Sequence, residues 1–348
     1  MSHRLTTPRR LTPLPWVGRP IDLLSSLVLV VALLGMASYA ITVGSYPMSL
    51  AQIWQQLSAD DTASSTLGGV LWELRLPRIL LAILGGAVMA LAGLLMQSLT
   101  RNPLAAPGLV GVEAGASVTM LLILVLWPTT LPPALYPLAA LVGGLAVALF
   151  VVGLSWRRGV APLRLILVGV GLTAMLSAVA DMLITYGDID RVESALMWLG
   201  GSLHRGGWGQ VKSLAIWLLI AGAPLLFCHR QLNLLQLGDG VALSRGLNVT
   251  GWMGLLLLCS VVLTSAAVAN VGVMTFVGLV APHLARQFCG DRHGALMPLS
   301  ALFGALLVLI GDTLGRALFP PLQLPAGLVV AIIGAPYLLI LLARQRHR

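Results

Sequence analysis

Residues 79–99 read ILLAILGGAVMALAGLLMQSL, a run without one charged side chain. Coiled into a helix it is about 30 Å long, the thickness of a bilayer's hydrocarbon core. Runs of the same kind recur at 20–42, 108–127, 134–155, 163–185, 211–228, 251–270, 272–288, 294–313 and 326–343. The expected fold is therefore all-α, a polytopic membrane protein of ten transmembrane helices. Residues 20–343 form a single transmembrane domain, flanked by tails at 1–19 and 344–348.

The composition agrees. Of 348 residues, 58% are hydrophobic and 9% charged, against roughly 25% charged in an ordinary soluble domain. No stretch is left for a second, soluble domain. The formal charge of +9 invites a nucleic-acid reading, but the basic residues cluster at the ends of apolar runs. Ten crossings put both termini on one side. Only Arg75, Arg78, Arg191, Arg205, Lys212 and Arg316 then fall on the other, and the remaining 15 of the 21 Lys and Arg residues lie on the terminal side. The positive-inside rule makes that side the cytoplasm. The first run follows a polar stretch carrying Arg4, Arg9, Arg10 and Arg19, unlike a cleaved signal, and is read as the first helix.

Glycines such as Gly85, Gly86, Gly143, Gly144, Gly169, Gly171, Gly278 and Gly334 lie within the spans. Apolar side chains gain little by meeting each other in lipid, so small residues that let backbones approach supply the packing. Cys228, Cys259 and Cys289 have no pairing pattern and read as small hydrophobes, neither disulfide-bonded nor metal-bound.

Ionisable groups inside the apolar zone are few: Glu113, Asp181, His283 and Asp312. Such groups are functional candidates by default. The three carboxylates fall near span ends, where they can reach the interface, and a structural hydrogen bond suits His283 better than a proton relay. An ion-coupled transporter would need a carboxylate cluster at mid-membrane. The Gly238-Asp239 and Gly311-Asp312 pairs could suggest an intramembrane aspartyl protease, but the first lies in an inner loop and the second at an outer boundary.

A P-loop requires Gly-Lys followed by Ser or Thr, and the only lysine is Lys212, after Val211. No ATP site of that type exists here, no cofactor is expected on this chain, and ATP-driven transport would place ATP and Mg on a separate subunit. The inner loop at about 229–250 is the best docking surface for such a subunit. Its stretch from Leu234 to Val249 mixes leucines with glycine breaks and suits two short helices joined by a turn.

Several blocks together resemble the FecCD family, the permeases of iron-chelate, haem and cobalamin importers. They are Leu74-Arg75-Leu76-Pro77-Arg78, Gly93 to Gln97, Arg101-Asn102-Pro103 through Val112, Phe276 through Arg286, Leu324-Pro325-Ala326-Gly327, and Gly334-Ala335-Pro336. They follow the family's order from about residue 70 to 343. The chain looks closest to ferric catecholate siderophore permeases.

The resemblance implies the type II ABC importer permease fold in a bacterial inner membrane, and a chain that is not itself an enzyme. Its partners would be ATP-binding cassette ATPases, a second permease, more often a homologous chain than a copy, and a periplasmic siderophore-binding protein. Leu235, Leu237, Gly238, Ala242, Leu243, Gly246 and Leu247 would form the ATPase coupling loop. Arg75, Arg78 and Arg316 would be solvent-facing arginines that dock the binding protein. The fifth helix would line the path, with Pro162, Leu163, Gly169 and Thr173 as gate or path residues; its start, Val160-Ala161-Pro162-Leu163-Arg164, departs from the cobalamin type. Alternatives from other classes are an ion-gradient transporter and a membrane-embedded enzyme, the latter without any visible catalytic cluster.

Overall fold

The computed structural model describes residues 20–44, 48–58, 66–127, 131–132, 135–156, 162–204, 206–318 and 322–345. The tail at 1–19, the last three residues, Val160, Ala161 and Arg205 lie outside the described residues.

Every expected span coincides with a helix. They are α1 (Pro20–Thr42), α4 (Leu76–Thr100, entered through α3, Thr66–Gly69, and a π-helical stretch Val70–Arg75), α5 (Val112–Leu121, extended to Leu126), α6 (Tyr136–Ser155), α7 (Pro162–Tyr186), α9 (Trp208–Trp217, extended to Phe227), α12 (Val249–Val271), α13 (Thr275–Cys289), α14 (His293–Ala317) and α15 (Ala326–Gln345). By length and composition 7 of these are long and apolar enough to cross a membrane, and Val112–Leu126 and Ala326–Leu341 are shorter apolar helices.

Among the described residues, four further helices are not spans. The pair α10 (His229–Gln236) and α11 (Asp239–Ser244) fills the loop where two short helices were expected. The other two, α2 (Leu50–Ser58) and α8 (Ile189–Leu199), were not anticipated, because a short amphipathic helix leaves no long apolar run. Asp188 caps α8 by accepting from the Asp190 amide at 3.2 Å. Val192 and Ala195 then pack on Leu121 and Val125.

The core is organised around α4, buried along almost its whole length from Ile79 to Leu99. Its most extensive partner is α14, followed by α12 and α13. The reason is legible in the glycines. A methyl group at Gly86 would lie 2.1 Å from the Gly304 carbonyl oxygen, and one at Gly93 would lie 2.0 Å from that of Gly278. Backbones that close leave no room for a side chain, so α4 meets α14 and α13 by dispersion contact between bare backbones.

The span α13 has only 15 residues, about 22 Å of helix. The α12–α13 connection turns at Gly272, φ +76°, and is covered by the α8–α9 connection: a methyl group at Gly201 would sit 2.4 Å from the Val273 carbonyl. Irregular backbone at membrane depth is tolerated when protein covers it in this way.

Candidate functional site

At its C-terminal end, expected on the cytoplasmic side, α4 stops at Arg101, which takes a left-handed conformation with φ +50°. The Asn102-Pro103 pair that follows cannot continue the helix. Arg101 reaches across to the loop helices, donating from Nε to the Leu235 carbonyl at 3.1 Å and pairing with Asp239. Gly238, φ +110°, makes the turn between α10 and α11, and Gly246, φ +78°, ends α11. Asn248 caps α12 by accepting from the Gly251 amide at 3.1 Å.

This wiring sorts the expected coupling residues. Leu235 and Ala242 are buried and hold the element on the body, whereas Leu237 and Leu243 are 67% and 60% exposed, with Val241 between them. Leucines projecting into solvent from a pinned helical turn form a surface that a second protein can cover.

A connection the sequence reading missed lies just beneath. His293, the first residue of α14 and fully buried, sits between Asn233 of α10 and Ser98 of α4. Its backbone N–H donates to Asn233 Oδ1 at 3.1 Å, its Nδ1 meets the same oxygen at 2.7 Å, and its Nε2 meets Ser98 Oγ at 2.7 Å. An oxygen accepting from both the backbone and the ring makes Nδ1 the protonated nitrogen. Nε2 of the neutral ring then accepts from the serine hydroxyl. Nothing local flags these residues, which resemble ordinary polar residues at a span edge.

At the opposite end of α4, expected on the outer side, an expectation is corrected. Arg75, Arg78 and Arg316 are not solvent-facing: they are 6%, 9% and 7% exposed. Asp312, expected near the interface, is fully buried among them. Arg78 donates from Nε to Asp312 Oδ1 at 2.9 Å and Arg316 Nε pairs with Oδ2 at 3.0 Å. Arg316 also donates to the Val43 carbonyl at 2.8 Å, and Arg75 to that of Ile41. These carbonyls end α1 without a helical partner, at the negative pole of its dipole, which is why guanidinium groups gather there. Arg78 Nη1 extends to Gln323 Oε1 at 2.7 Å, and His204 Nδ1 meets the same oxygen at 3.0 Å. Two guanidinium groups, those of Arg78 and Arg316, share the one Asp312 carboxylate, so this trio carries net positive charge. Asp239 and Asp312 lie at opposite ends of α4, too far apart to form an aspartyl dyad.

Two other polar expectations are also corrected. Glu113 does not reach an interface: its Oε2 accepts from Thr275 Oγ1 at 2.7 Å, and its Oε1 is buried without a hydrogen-bond partner among the described residues. The two residues open α5 and α13, which are entered from opposite faces, so the pair lies inside the helical body. His283 Nδ1 has no hydrogen-bond partner among the described residues; the ring meets Tyr337 edge-on, centroids 5.9 Å apart. Asp181 is exposed on α7.

Of the expected path residues, Pro162 opens α7 and Leu163 is 72% exposed. Gly169 instead faces its own chain, where a methyl group would lie 1.8 Å from the Leu109 carbonyl. Thr173, one turn on, is half-buried beside Gly111.

Comparison with known proteins fits this architecture. Residues 28–344 match the FecCD transport family. The achromobactin transport system permease protein CbrC of Dickeya dadantii is 39% identical, over 95% of this chain and 93% of its own length. The Fe(3+) dicitrate transport system permease protein FecD of Escherichia coli is 42% identical, over 90% of this chain and 96% of its own. A solved chain described as a metal-chelate type ABC transporter in an inward-facing conformation superposes with a TM-score of 0.78 at 27% identity, covering 92% of this chain and 99% of the other. With the match spanning nearly every helix described above, the chain belongs to the FecCD transport family.

Proposed function

We propose that this chain is the membrane-spanning permease subunit of a type II ABC importer that carries a ferric siderophore across the bacterial inner membrane. The observation that carries the reading is the α10–α11 element, pinned by Arg101 and presenting Leu237 and Leu243 outward. Such an element is suited to sit in a cleft of an ATPase and be moved by it. Energy then comes from partner chains, and this chain changes access without chemistry on its cargo.

The outer cationic cluster is the proposed counterpart on the other face. Buried positive charge projects a field through the low-dielectric body into the solvent, where salt screens it, and this favours approach of an acidic binding protein without solvent-facing guanidinium groups. The exposed side of α7, including Leu163, is proposed to face a second permease across the transport path, with a homologous chain preferred as the partner. Both termini are proposed to lie in the cytoplasm, from the expected excess of basic residues on that side.

The test is reconstitution. Proteoliposomes holding the permease pair and its ATPases, given loaded binding protein outside and ATP inside, should accumulate iron chelate. Accumulation driven by an ion gradient without ATP would overturn the reading. Parallel assays with ferric catecholate, ferric carboxylate, haem and cobalamin cargo decide among chelates.

A further inference from the structure

Two antiparallel helices, α4 and α14, are cross-linked by polar contacts at both ends and fused in the middle. At the outer end Arg78 of α4 grips Asp312 of α14. At the inner end Ser98 of α4 meets His293 of α14. Ser98 follows Arg78 by 20 positions and Asp312 follows His293 by 19, so each cross-link is about 30 Å from the other, one hydrocarbon thickness. Between them Gly86 and Gly304 bring the two backbones into direct contact. A pair held this way has little freedom to slide or splay, because any shift must break a buried hydrogen bond or part the packed backbones.

The inner cross-link is also the point where the loop helices enter the body. His293 is joined to Asn233 of α10 by two hydrogen bonds, and Asn233 lies one residue before Leu234, where the proposed coupling stretch begins. We propose that His293 is a positioning residue that makes α4 and α14 one strut, through which displacement of the α10–α11 element is delivered to the Arg78–Asp312–Arg316 cluster on the opposite face. The inference rests on the importer reading above and adds the route by which the two faces sense each other.

The route is specific in its chemistry. The neutral ring donates from Nδ1 to α10 and accepts at Nε2 from α4, so neither contact can be lost without leaving a buried polar atom unsatisfied. Ser98 retains an alternative acceptor, the Leu94 carbonyl at 2.8 Å. Removing the Ser98 contact therefore loosens the strut without unfolding α4.

The experiment uses the reconstituted complex of permeases, ATPases and binding protein, and reads ATP hydrolysis with and without loaded binding protein. Ser98→Ala and His293→Asn each remove the link between α4 and α14, whereas His293→Gln keeps an amide within reach of Ser98 while the backbone N–H still holds Asn233. The expected result is basal hydrolysis close to wild type in all three. Stimulation by loaded binding protein should fall roughly ten-fold in Ser98→Ala and His293→Asn, and be largely retained in His293→Gln. The Ser98→Ala/His293→Asn double variant should be no worse than either single one, because both break the same link. Stimulation equal to wild type in the assembled Ser98→Ala complex would overturn the inference, as would additive losses in the double variant. Failure of the wild-type chain to assemble with an ATPase would instead count against the importer reading, so the two failures are distinguishable.

Discussion

Arg78 and Asp312, 234 residues apart in sequence, meet inside the outer end of the helical body, with Arg78 Nη2 2.8 Å from Asp312 Oδ1 and Nε 2.9 Å from the same oxygen. The carboxylate is fully buried and also serves Arg316. Replacing it with Asn or Ala leaves two largely buried guanidinium groups without their counter-charge, which costs about 3–5 kcal/mol. The expected outcome for Asp312→Asn is a lowered unfolding midpoint of the purified protein in detergent. An unchanged midpoint would contradict the buried network.

That burial alters how docking must be tested. Reversing Arg75 and Arg78 to Glu sets a new carboxylate beside Asp312 and another among the α1 carbonyls, so lost docking would be inseparable from lost folding. Salt is the cleaner variable. If the cationic cluster attracts an acidic binding protein, raising salt from about 0.01 M to 0.3 M should weaken association roughly ten-fold, mostly through the on-rate. Affinity independent of salt would show that another surface does the docking.

Glycine positions separate by contact. Gly86→Val forces a branched side chain into the Gly304 carbonyl and should destabilise by about 3 kcal/mol or more. By contrast, a methyl group at Gly153 meets nothing within 4 Å, and Gly153→Ala should be neutral or stabilise α6 by up to about 1 kcal/mol. Equal melting of the two variants would refute the close α4–α14 approach.

Thr275→Val removes the hydroxyl that donates to Glu113 and leaves a buried carboxyl group without either partner. The cost should be about 1–3 kcal/mol. Adding Glu113→Leu, which removes the stranded group, should recover part of that loss. A double variant less stable than Thr275→Val alone would mean that Glu113 has another partner inside the body.

What could be read from sequence follows from how locally each feature is encoded. The ten spans were legible because lipid demands uninterrupted apolar runs, and α1 begins and ends at the expected residues. The α10–α11 pair was legible because Gly238 and Gly246 break a leucine-rich loop. Pairings across long separations were not. Arg78 read as a rim arginine because nothing near it announces that Asp312, one turn before Arg316 on α14, folds back against it. Gly169 read as a path residue because a glycine that admits a neighbouring backbone cannot be told, in one sequence, from one that lines a channel. Ser98, Asn233 and His293 are unremarkable singly and become a unit only once three helices converge.

The central claim is that the α10–α11 element faces the cytoplasm and an ATPase. Its most direct test is Leu243→Cys in a background where Cys228, Cys259 and Cys289 are replaced by alanine. A membrane-impermeant maleimide should label this cysteine only in inside-out vesicles, and bound ATPase subunits should protect it. Labelling from the outside of intact spheroplasts would contradict the account.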